Sequence, residues 1–209
     1  WRRFEGGLGR GRSIHAGLGD KHMEGQPVLI EKPMETILIV PGLRNSGPTH
    51  WQTWFENTLT DTQRVDQADW NRPSLSEWAA RVREAIHAES EPVWIVAHSF
   101  GCLAAVSAGF TCASRVRAAL LVAPADPDRF EDTAALPEER LGFPSLVVAS
   151  NNDPWVRSSV ARYWSDVWGS GYRNIGDAGH INVDSGYGQW PEGLGFFHEL
   201  RQEVLAIKV

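Results

Sequence analysis

A serine stands where a predicted strand gives way to a helix, within the segment VWIVAHSFGCLAAV of residues 93–106. The apolar run 93–97 predicts a fully buried strand, and a small-residue helix is predicted over Cys102–Gly109. The pentapeptide between them is A-H-S-F-G, a variant of the G-x-S-x-G nucleophile elbow in which Ala97 replaces the first glycine. Ser99 is therefore a candidate nucleophile. The alternative is that Ser99 only caps the helix that follows.

Two histidines follow Ser99, and only one of them lies in a context suited to catalysis. The elbow fold orders its partners along the chain as serine, then acid, then histidine. His180 lies in the glycine-containing loop DAGHIN, after a predicted strand over Tyr172–Ile175. His198 lies in a segment with helical periodicity and is predicted on a helix surface. His180 is the candidate base.

The candidate acid is Asp153, which follows the buried apolar run 146–149 in the sequence SNNDP. Catalytic groups collect at the carboxyl edge of open α/β sheets, and this position lies just beyond such an edge. Taken alone, an Asp-Pro pair indicates an ordinary turn. Asp126 and Asp128, after a strand predicted over Ala118–Ala123, are the alternatives. Chain order and local context favour Ser99, Asp153 and His180 together.

These three residue types support acyl transfer. A serine hydroxyl is a weak nucleophile and needs an adjacent base, here His180, which returns the proton to the leaving group. Asp153 would fix the imidazole tautomer and stabilise the imidazolium. The oxyanion needs two N–H donors, which we assign to Phe100 in the elbow and to Leu43 in the loop after the strand Thr36–Val40. The alternative for that loop is a Gly/Pro connection with no chemistry.

Four segments together resemble small serine hydrolases related to retinoblastoma-binding protein nine, in their bacterial form: PGLRNSGPTHWQTW, AHSFG, SNNDP and GHIN. The resemblance extends over about residues 35–205. It implies a compact α/β-hydrolase fold with little or no lid, a triad of Ser99, Asp153 and His180, and an oxyanion hole of Leu43 and Phe100. It also implies that the loop 45–51 borders the substrate. The sequence lacks L-x-C-x-E, so binding to a pocket protein is not expected.

The residues predicted to contact substrate lie beside the proposed oxyanion loop and acid. They are Asn45, His50, Trp51 and Trp155. The two tryptophans would line an apolar or aromatic pocket. The alternative is that they pack in the core, as most of the ten tryptophans are expected to do. The short segment Asp126–Gly142 is the only room for a lid.

Composition excludes several classes of partner. The chain has 209 residues and a net charge of −6, so no basic field indicates nucleic acid binding. No apolar run approaches the ~18 residues of a membrane span, so no membrane partner is expected. The sequence has no clustered metal-ligand motif, so we expect neither a metal nor a cofactor. The expected partner is a small-molecule acyl substrate.

The two cysteines, Cys102 and Cys112, are predicted to be buried on one helix. Ten residues at ~1.5 Å rise place them ~15 Å apart, beyond the ~7 Å that a disulfide allows. Unpaired buried thiols favour a cytoplasmic location.

Alternating strand and helix patterns from Thr36 onward predict a three-layer α/β/α domain with a mostly parallel sheet, over residues 34–209. Ser74 and Glu77 form a predicted capping box at the start of one helix. Residues 1–33 are glycine-rich and net basic, and we interpret them as an extension, a tag or a disordered arm.

The sequence therefore predicts a serine hydrolase that cleaves small ester, thioester or amide bonds through an acyl-enzyme. The alternative is a catalytically weak or inactive binding module that retains the fold, because function resides in the site rather than in the fold. Ser99 argues against a third reading, an enzyme with an aspartate nucleophile at the elbow.

Overall fold

The computed structural model describes residues 35–207, and the extension predicted over residues 1–33 lies outside this range. Six strands and five α-helices alternate along the chain: β1 (Ile37–Val40), α1 (Trp51–Thr58), β2 (Thr62–Arg64), α2 (Leu75–Ala88), β3 (Val93–His98), α3 (Phe100–Thr111), β4 (Val116–Val122), β5 (Ser145–Ala149), α4 (Ser158–Trp168), β6 (Gly171–Asn174) and α5 (Pro191–Ala206). Short 3₁₀ helices lie at Ala113–Arg115, Pro127–Arg129 and Val183–Ser185.

All neighbouring strands of the sheet are parallel, in the order β2-β1-β3-β4-β5-β6. The chain moves from β1 outward to β2 and then returns to the other side of β1 as β3. The order therefore reverses between β1 and β3, where the last residues in register are Val40 and Ala97. The loops that leave two such strands diverge and form a crevice at the carboxyl edge of the sheet, where open α/β sheets bind ligands.

Alternating strand residues divide the core into two layers. Leu38 and Val40 of β1 face α2 and α3, whereas Ile37 and Ile39 face α1 and α5. The central strands are apolar on both sides because helices cover both faces of the sheet. The predicted three-layer α/β/α class is confirmed.

Helix starts show where local sequence signals succeed and where they fail. The Ser74 hydroxyl accepts a hydrogen bond from the Glu77 N–H at 3.4 Å, as expected for the serine of a capping box. Helix α3 begins at Phe100, two residues earlier than predicted, directly after the serine. Helix α5 begins at Pro191, with proline in the first turn, where its missing N–H is not needed.

The connection between β4 and β5 lies against the domain. The Phe130 ring packs on Phe100 at 4.6 Å between centroids, and the Trp168 Nε1–H donates to the Pro137 carbonyl at 3.0 Å. The Leu141 N–H donates to the Trp168 carbonyl at 2.9 Å. These contacts hold most of the segment on the core and leave little chain for a lid.

Both cysteines are free. Cys102 is buried, as predicted, and its thiol donates to the Val122 carbonyl at 3.4 Å. Cys112 is only half-buried, because it lies at the end of α3 rather than within it. Burial raises the pKa of both thiols. No helix within residues 35–207 is long and apolar enough to cross a membrane.

The contact between β1 and α3 leaves no room for a side chain at Gly101. A Cβ at Gly101 would lie 2.5 Å from the Val40 carbonyl oxygen and closer still to that of Pro41. Because backbone atoms cannot give way as side chains do, we expect Gly101→Ala to lower the free energy of unfolding by about 1–3 kcal/mol. Urea denaturation measures this change.

The matched control is Gly195→Ala, within helix α5, where a Cβ would meet nothing within 4 Å. Replacing this helical glycine should leave stability unchanged or raise it by up to ~1 kcal/mol. Equal stabilities for the two variants would contradict the assigned contact.

Candidate active site

Ser99 sits in a strained turn between β3 and α3. Its backbone has φ 54° and ψ −126°, in the left-handed half of the map that non-glycine residues rarely adopt. Hydrogen bonds hold this conformation: the Ser99 N–H donates to the Val122 carbonyl at 3.0 Å, and the Ser99 carbonyl accepts from Cys102 and Ala125. The serine occupies the N-cap position, but its hydroxyl makes no capping bond. The geometry thus disfavours the helix-cap interpretation.

The hydroxyl of Ser99 instead faces a histidine. Ser99 Oγ lies 2.9 Å from His180 Nε2, and His180 Nδ1 lies 2.7 Å from Asp153 Oδ2. A carboxylate only accepts hydrogen bonds, so the imidazole proton belongs on Nδ1. In the neutral ring Nε2 then carries a lone pair that accepts the serine O–H. Three predicted residues from three different loops are therefore in hydrogen-bond sequence.

Asp153 is well held and secluded. Its side chain is 1% exposed, and its second carboxylate oxygen accepts the Trp155 N–H at 2.8 Å. Donors on both oxygens offset the cost of burying this group. The alternative acids do not contact the histidine: the Asp126 carboxylate accepts the Asp128 N–H at the start of a 3₁₀ turn. Asp128 is exposed.

The segment after β5 also supports the histidine loop. Ser150 Oγ accepts the Ala178 N–H at 2.9 Å, and Asn152 Oδ1 accepts the Gly179 N–H at 2.7 Å. The residues that precede Asp153 thus fix the backbone that precedes His180. One short stretch of chain positions both groups.

The two backbone N–H groups predicted to bind an oxyanion, those of Leu43 and Phe100, belong to segments that meet at the serine. A Cβ at Gly42 would lie 2.7 Å from Ser99 Cβ, so the loop after β1 passes directly against the serine. Leu43 follows Gly42, and Phe100 is the first residue of α3. Within residues 35–207, neither the Leu43 nor the Phe100 N–H donates to another protein group. The N-terminus of a helix also favours negative charge.

The loop that carries Leu43 is held by an arginine from β2. Arg44 and Asn45 have φ values of 65° and 63°, both in the left-handed region. The Arg64 guanidinium donates to Asn45 Oδ1 at 2.8 Å and to the Ser46 carbonyl at 2.7 Å, while it pairs with Glu56. Asn45 lines the cleft, and its amide oxygen is committed to this support.

His50 also lines the cleft and is buried. Its Nδ1 accepts the Gln52 N–H at 3.2 Å and so caps α1. Burial lowers the pKa of His50 to about 4, and the nearby charges of Arg64 and His180 act in the same direction. His50 is therefore a neutral ring near pH 7.

The two tryptophans predicted to contact substrate have different positions. Trp51 is fully buried in the layer between α1, α5 and the sheet, so its assignment to the substrate pocket is wrong. Its position at the start of α1 turns the ring inward, where the Nε1–H donates to the Ile181 carbonyl at 2.8 Å. Trp155 is 56% exposed and borders the cleft.

The cleft above Ser99 has a volume of about 460 Å³. Phe130 and Val183 contribute apolar walls, and Arg129 and Asp184 contribute charge. Sequence reasoning singled out none of these four residues, since no local motif links them to the serine. Arg129 and Phe130 do lie in the segment Asp126–Gly142, where the sequence leaves room for a lid. Among residues 35–207, no three His, Cys, Asp or Glu side chains are grouped as a metal site.

Sequence reasoning did not single out His98, although it is adjacent to Ser99. Its buried Nε2 lies 3.0 Å from the His180 carbonyl oxygen. The signal in the sequence that could have drawn attention to His98 is a histidine at the end of a buried apolar strand.

Comparisons of sequence and of structure both relate this chain to known hydrolases. A family model described as serine hydrolase matches residues 37–199. A protein of Pectobacterium atrosepticum described as a YdeN-like hydrolase is 36% identical, with a TM-score of 0.77 over 81% of this chain and 91% of that one. The ydeN gene product of Bacillus subtilis is 18% identical, with a TM-score of 0.69 over 81% of this chain and 100% of that one.

The esterase Est2 of Thermogutta terrifontis, with butyrate bound, is 16% identical, with a TM-score of 0.61 over 82% of each chain. No curated relative matches the sequence. The predicted α/β-hydrolase fold is confirmed.

The burial of His50 makes the free energy of unfolding depend on pH. The folded-state pKa of about 4 lies below the ordinary 6.5, so unfolded chains bind the proton more readily. Stability from this neutral ring is present above pH 6.5 and is lost as pH falls toward 4. His50→Asn retains a capping acceptor but does not titrate there.

Urea unfolding at pH 7 and pH 4.5 tests this expectation. The loss of unfolding free energy between the two pH values should be about 2 kcal/mol smaller in His50→Asn than in the wild type. An identical loss in both proteins would contradict it.

Proposed function

The chain belongs to the serine hydrolase family, and on that premise we propose that it cleaves small ester, thioester or amide bonds through an acyl-enzyme on Ser99. The single observation that carries this proposal is the unbroken hydrogen-bond sequence from Ser99 through His180 to Asp153. We also propose that the family relationship extends to hydrolases related to retinoblastoma-binding protein nine, which rests on the sequence motifs alone.

In the proposed first step, Ser99 Oγ attacks the carbonyl carbon of the substrate. His180 Nε2 takes the hydroxyl proton as the C–O bond forms, and the ring becomes an imidazolium. Asp153 stabilises that charge through the Nδ1–H bond. The imidazolium then protonates the leaving group as the tetrahedral intermediate collapses to an acyl-enzyme.

In the second step, water replaces the serine as nucleophile. His180 accepts a proton from that water as it attacks the acyl carbon, and it then returns a proton to Ser99 Oγ. The products are a carboxylic acid and the regenerated enzyme. No cofactor is needed, because each proton stays on a group of the chain, the substrate or water.

The proposed oxyanion donors are the N–H groups of Leu43 and Phe100. Phe100 follows Ser99 in the chain, and Leu43 follows Gly42, which lies against the Ser99 side chain. Neither N–H donates to another protein group within residues 35–207. Donors fixed in advance stabilise charge that develops only during the reaction, which is worth ~100- to 1000-fold for one such donor.

We propose a substrate with a short acyl group. A cleft of about 460 Å³ fits a small molecule, and the exposed indole of Trp155 borders it as an apolar surface. The butyrate bound to the structurally similar esterase Est2 agrees in size with this proposal. We assign substrate contact to His50 and Trp155, and a supporting role to Asn45.

Steady-state hydrolysis of p-nitrophenyl esters tests the mechanism. We expect Ser99→Ala and His180→Ala to lose at least ~10⁴-fold in kcat, because the members of a triad act as a unit. Asp153→Asn should lose on the order of 10³- to 10⁴-fold, since it leaves the wrong tautomer on His180. The control is Ser107→Ala, a serine on the same helix α3 without an assigned role.

Equal activity of Ser99→Ala and Ser107→Ala would contradict the nucleophile assignment. A folded wild type that hydrolyses no ester, thioester or amide would favour the alternative in which the cleft only binds a ligand.

The acyl preference is tested on the wild type with acetyl, butyryl and dodecanoyl esters of one alcohol. We expect kcat/KM to be highest for acetyl or butyryl, because little chain is available to cover a long alkyl group. Faster turnover of the dodecanoyl ester would contradict the proposed substrate class.

A further inference from the structure

His98 makes a contact that the proposed chemistry leaves unused. It is the last residue of β3, it is 5% exposed, and its Nε2 lies 3.0 Å from the main-chain carbonyl oxygen of His180. A carbonyl only accepts hydrogen bonds, so His98 donates with a proton on Nε2. This bond ties the strand that leads into Ser99 to the loop that carries His180.

The ring of His98 is fixed on several sides. It lies 4.9 Å from the His180 ring, 5.0 Å from the His50 ring and 5.9 Å from the Trp51 ring, measured between centroids. Burial lowers the pKa of His98 well below its ordinary value, and the neighbouring His180 and His50 lower it further. The ring therefore stays neutral and keeps one N–H, the one that faces the His180 carbonyl.

The loop held by this bond has an unusual backbone. Ile181 has φ 48°, and a β-branched residue in the left-handed region is a genuine outlier. Its carbonyl accepts the Trp51 Nε1–H at 2.8 Å. Two buried ring N–H groups thus hold two successive carbonyls, those of His180 and Ile181. Such support is what a strained backbone needs in order to persist.

We propose that His98 is a positioning residue, whose N–H bond to the His180 carbonyl holds the loop in the conformation that directs His180 Nε2 at Ser99. The inference rests on the proposed function, in which His180 is the general base. His98 itself transfers no proton, because its N–H is committed to the carbonyl. Its removal should misplace the base rather than abolish the chemistry.

Two variants separate the hydrogen bond from the packing of the ring. His98→Gln retains an N–H donor with a reach close to that of Nε2 but lacks the ring. His98→Phe retains an aromatic ring but has no donor. His98→Leu serves as a smaller donor-free variant should His98→Phe not fold, and urea unfolding establishes that each variant tested is folded.

We expect the donor-free variant to lose ~10- to 100-fold in kcat with KM within about threefold of the wild type. A misplacement of about 1 Å in a reacting group is enough for such a loss. His98→Gln should retain kcat within about fivefold of the wild type. This order, with Gln above Phe or Leu, is expected only if the hydrogen bond matters.

The reverse order would overturn the proposal, because it would assign the ring a packing role. Equal losses in His98→Gln and the donor-free variant would overturn it as well. Wild-type kcat in the donor-free variant would show that the bond positions nothing.

Proton NMR supplies a readout that does not depend on turnover. The Nδ1–H of His180, bonded to Asp153, should give a downfield resonance that His98→Gln retains and the donor-free variant shifts or broadens. An unchanged resonance in the donor-free variant would overturn the inference. If the wild type hydrolyses no substrate but the resonance responds as expected, the proposed function fails while the positioning role stands.

Discussion

The close passage of the loop after β1 beneath the serine turn is the contact on which the site depends. Gly42 lies against the Ser99 side chain, and Gly101 lies against the carbonyls of Val40 and Pro41. A side chain at either glycine would separate β1 from α3. This close approach places Gly42, the residue before Leu43, against the serine that precedes Phe100, and the N–H groups of Leu43 and Phe100 are the proposed oxyanion donors. The parallel pairing of β1 with β3, which sets Val40 opposite Ala97, brings the carboxyl ends of the two strands side by side.

The rest of the triad comes from loops that follow strands further along the sheet and is held more indirectly. Asp153 and His180 extend from loops after β5 and β6, and side chains from the β5 loop bind the backbone ahead of His180. Residues with positive φ occur in both parts of the site, at Ser99 and at Ile181. Each is surrounded by hydrogen bonds from buried donors or to buried acceptors, and this support allows a rarely populated backbone conformation to persist.

The sequence predicted the candidate site best where the signal lies in a few contiguous residues. The elbow around Ser99, the acid after β5 and the glycine loop around His180 each carry a local signal, and parallel topology brings them to one edge. The sequence was least informative where a contact joins distant segments. Trp51 was assigned to the pocket because it is near Leu43 along the chain, yet its position on α1 turns it into the core. No local pattern pairs Arg64 with the loop 44–46.

The proposed activation of the Ser99 hydroxyl by His180 can be measured by fluorophosphonate labelling followed by peptide mass spectrometry. Such a probe phosphonylates only an activated serine, so it reports on the nucleophile without knowledge of the substrate. We expect a single adduct on the peptide that contains Ser99, absent in Ser99→Ala and formed far more slowly in His180→Ala. A folded wild type that remains unlabelled, or an adduct on another residue, would contradict it.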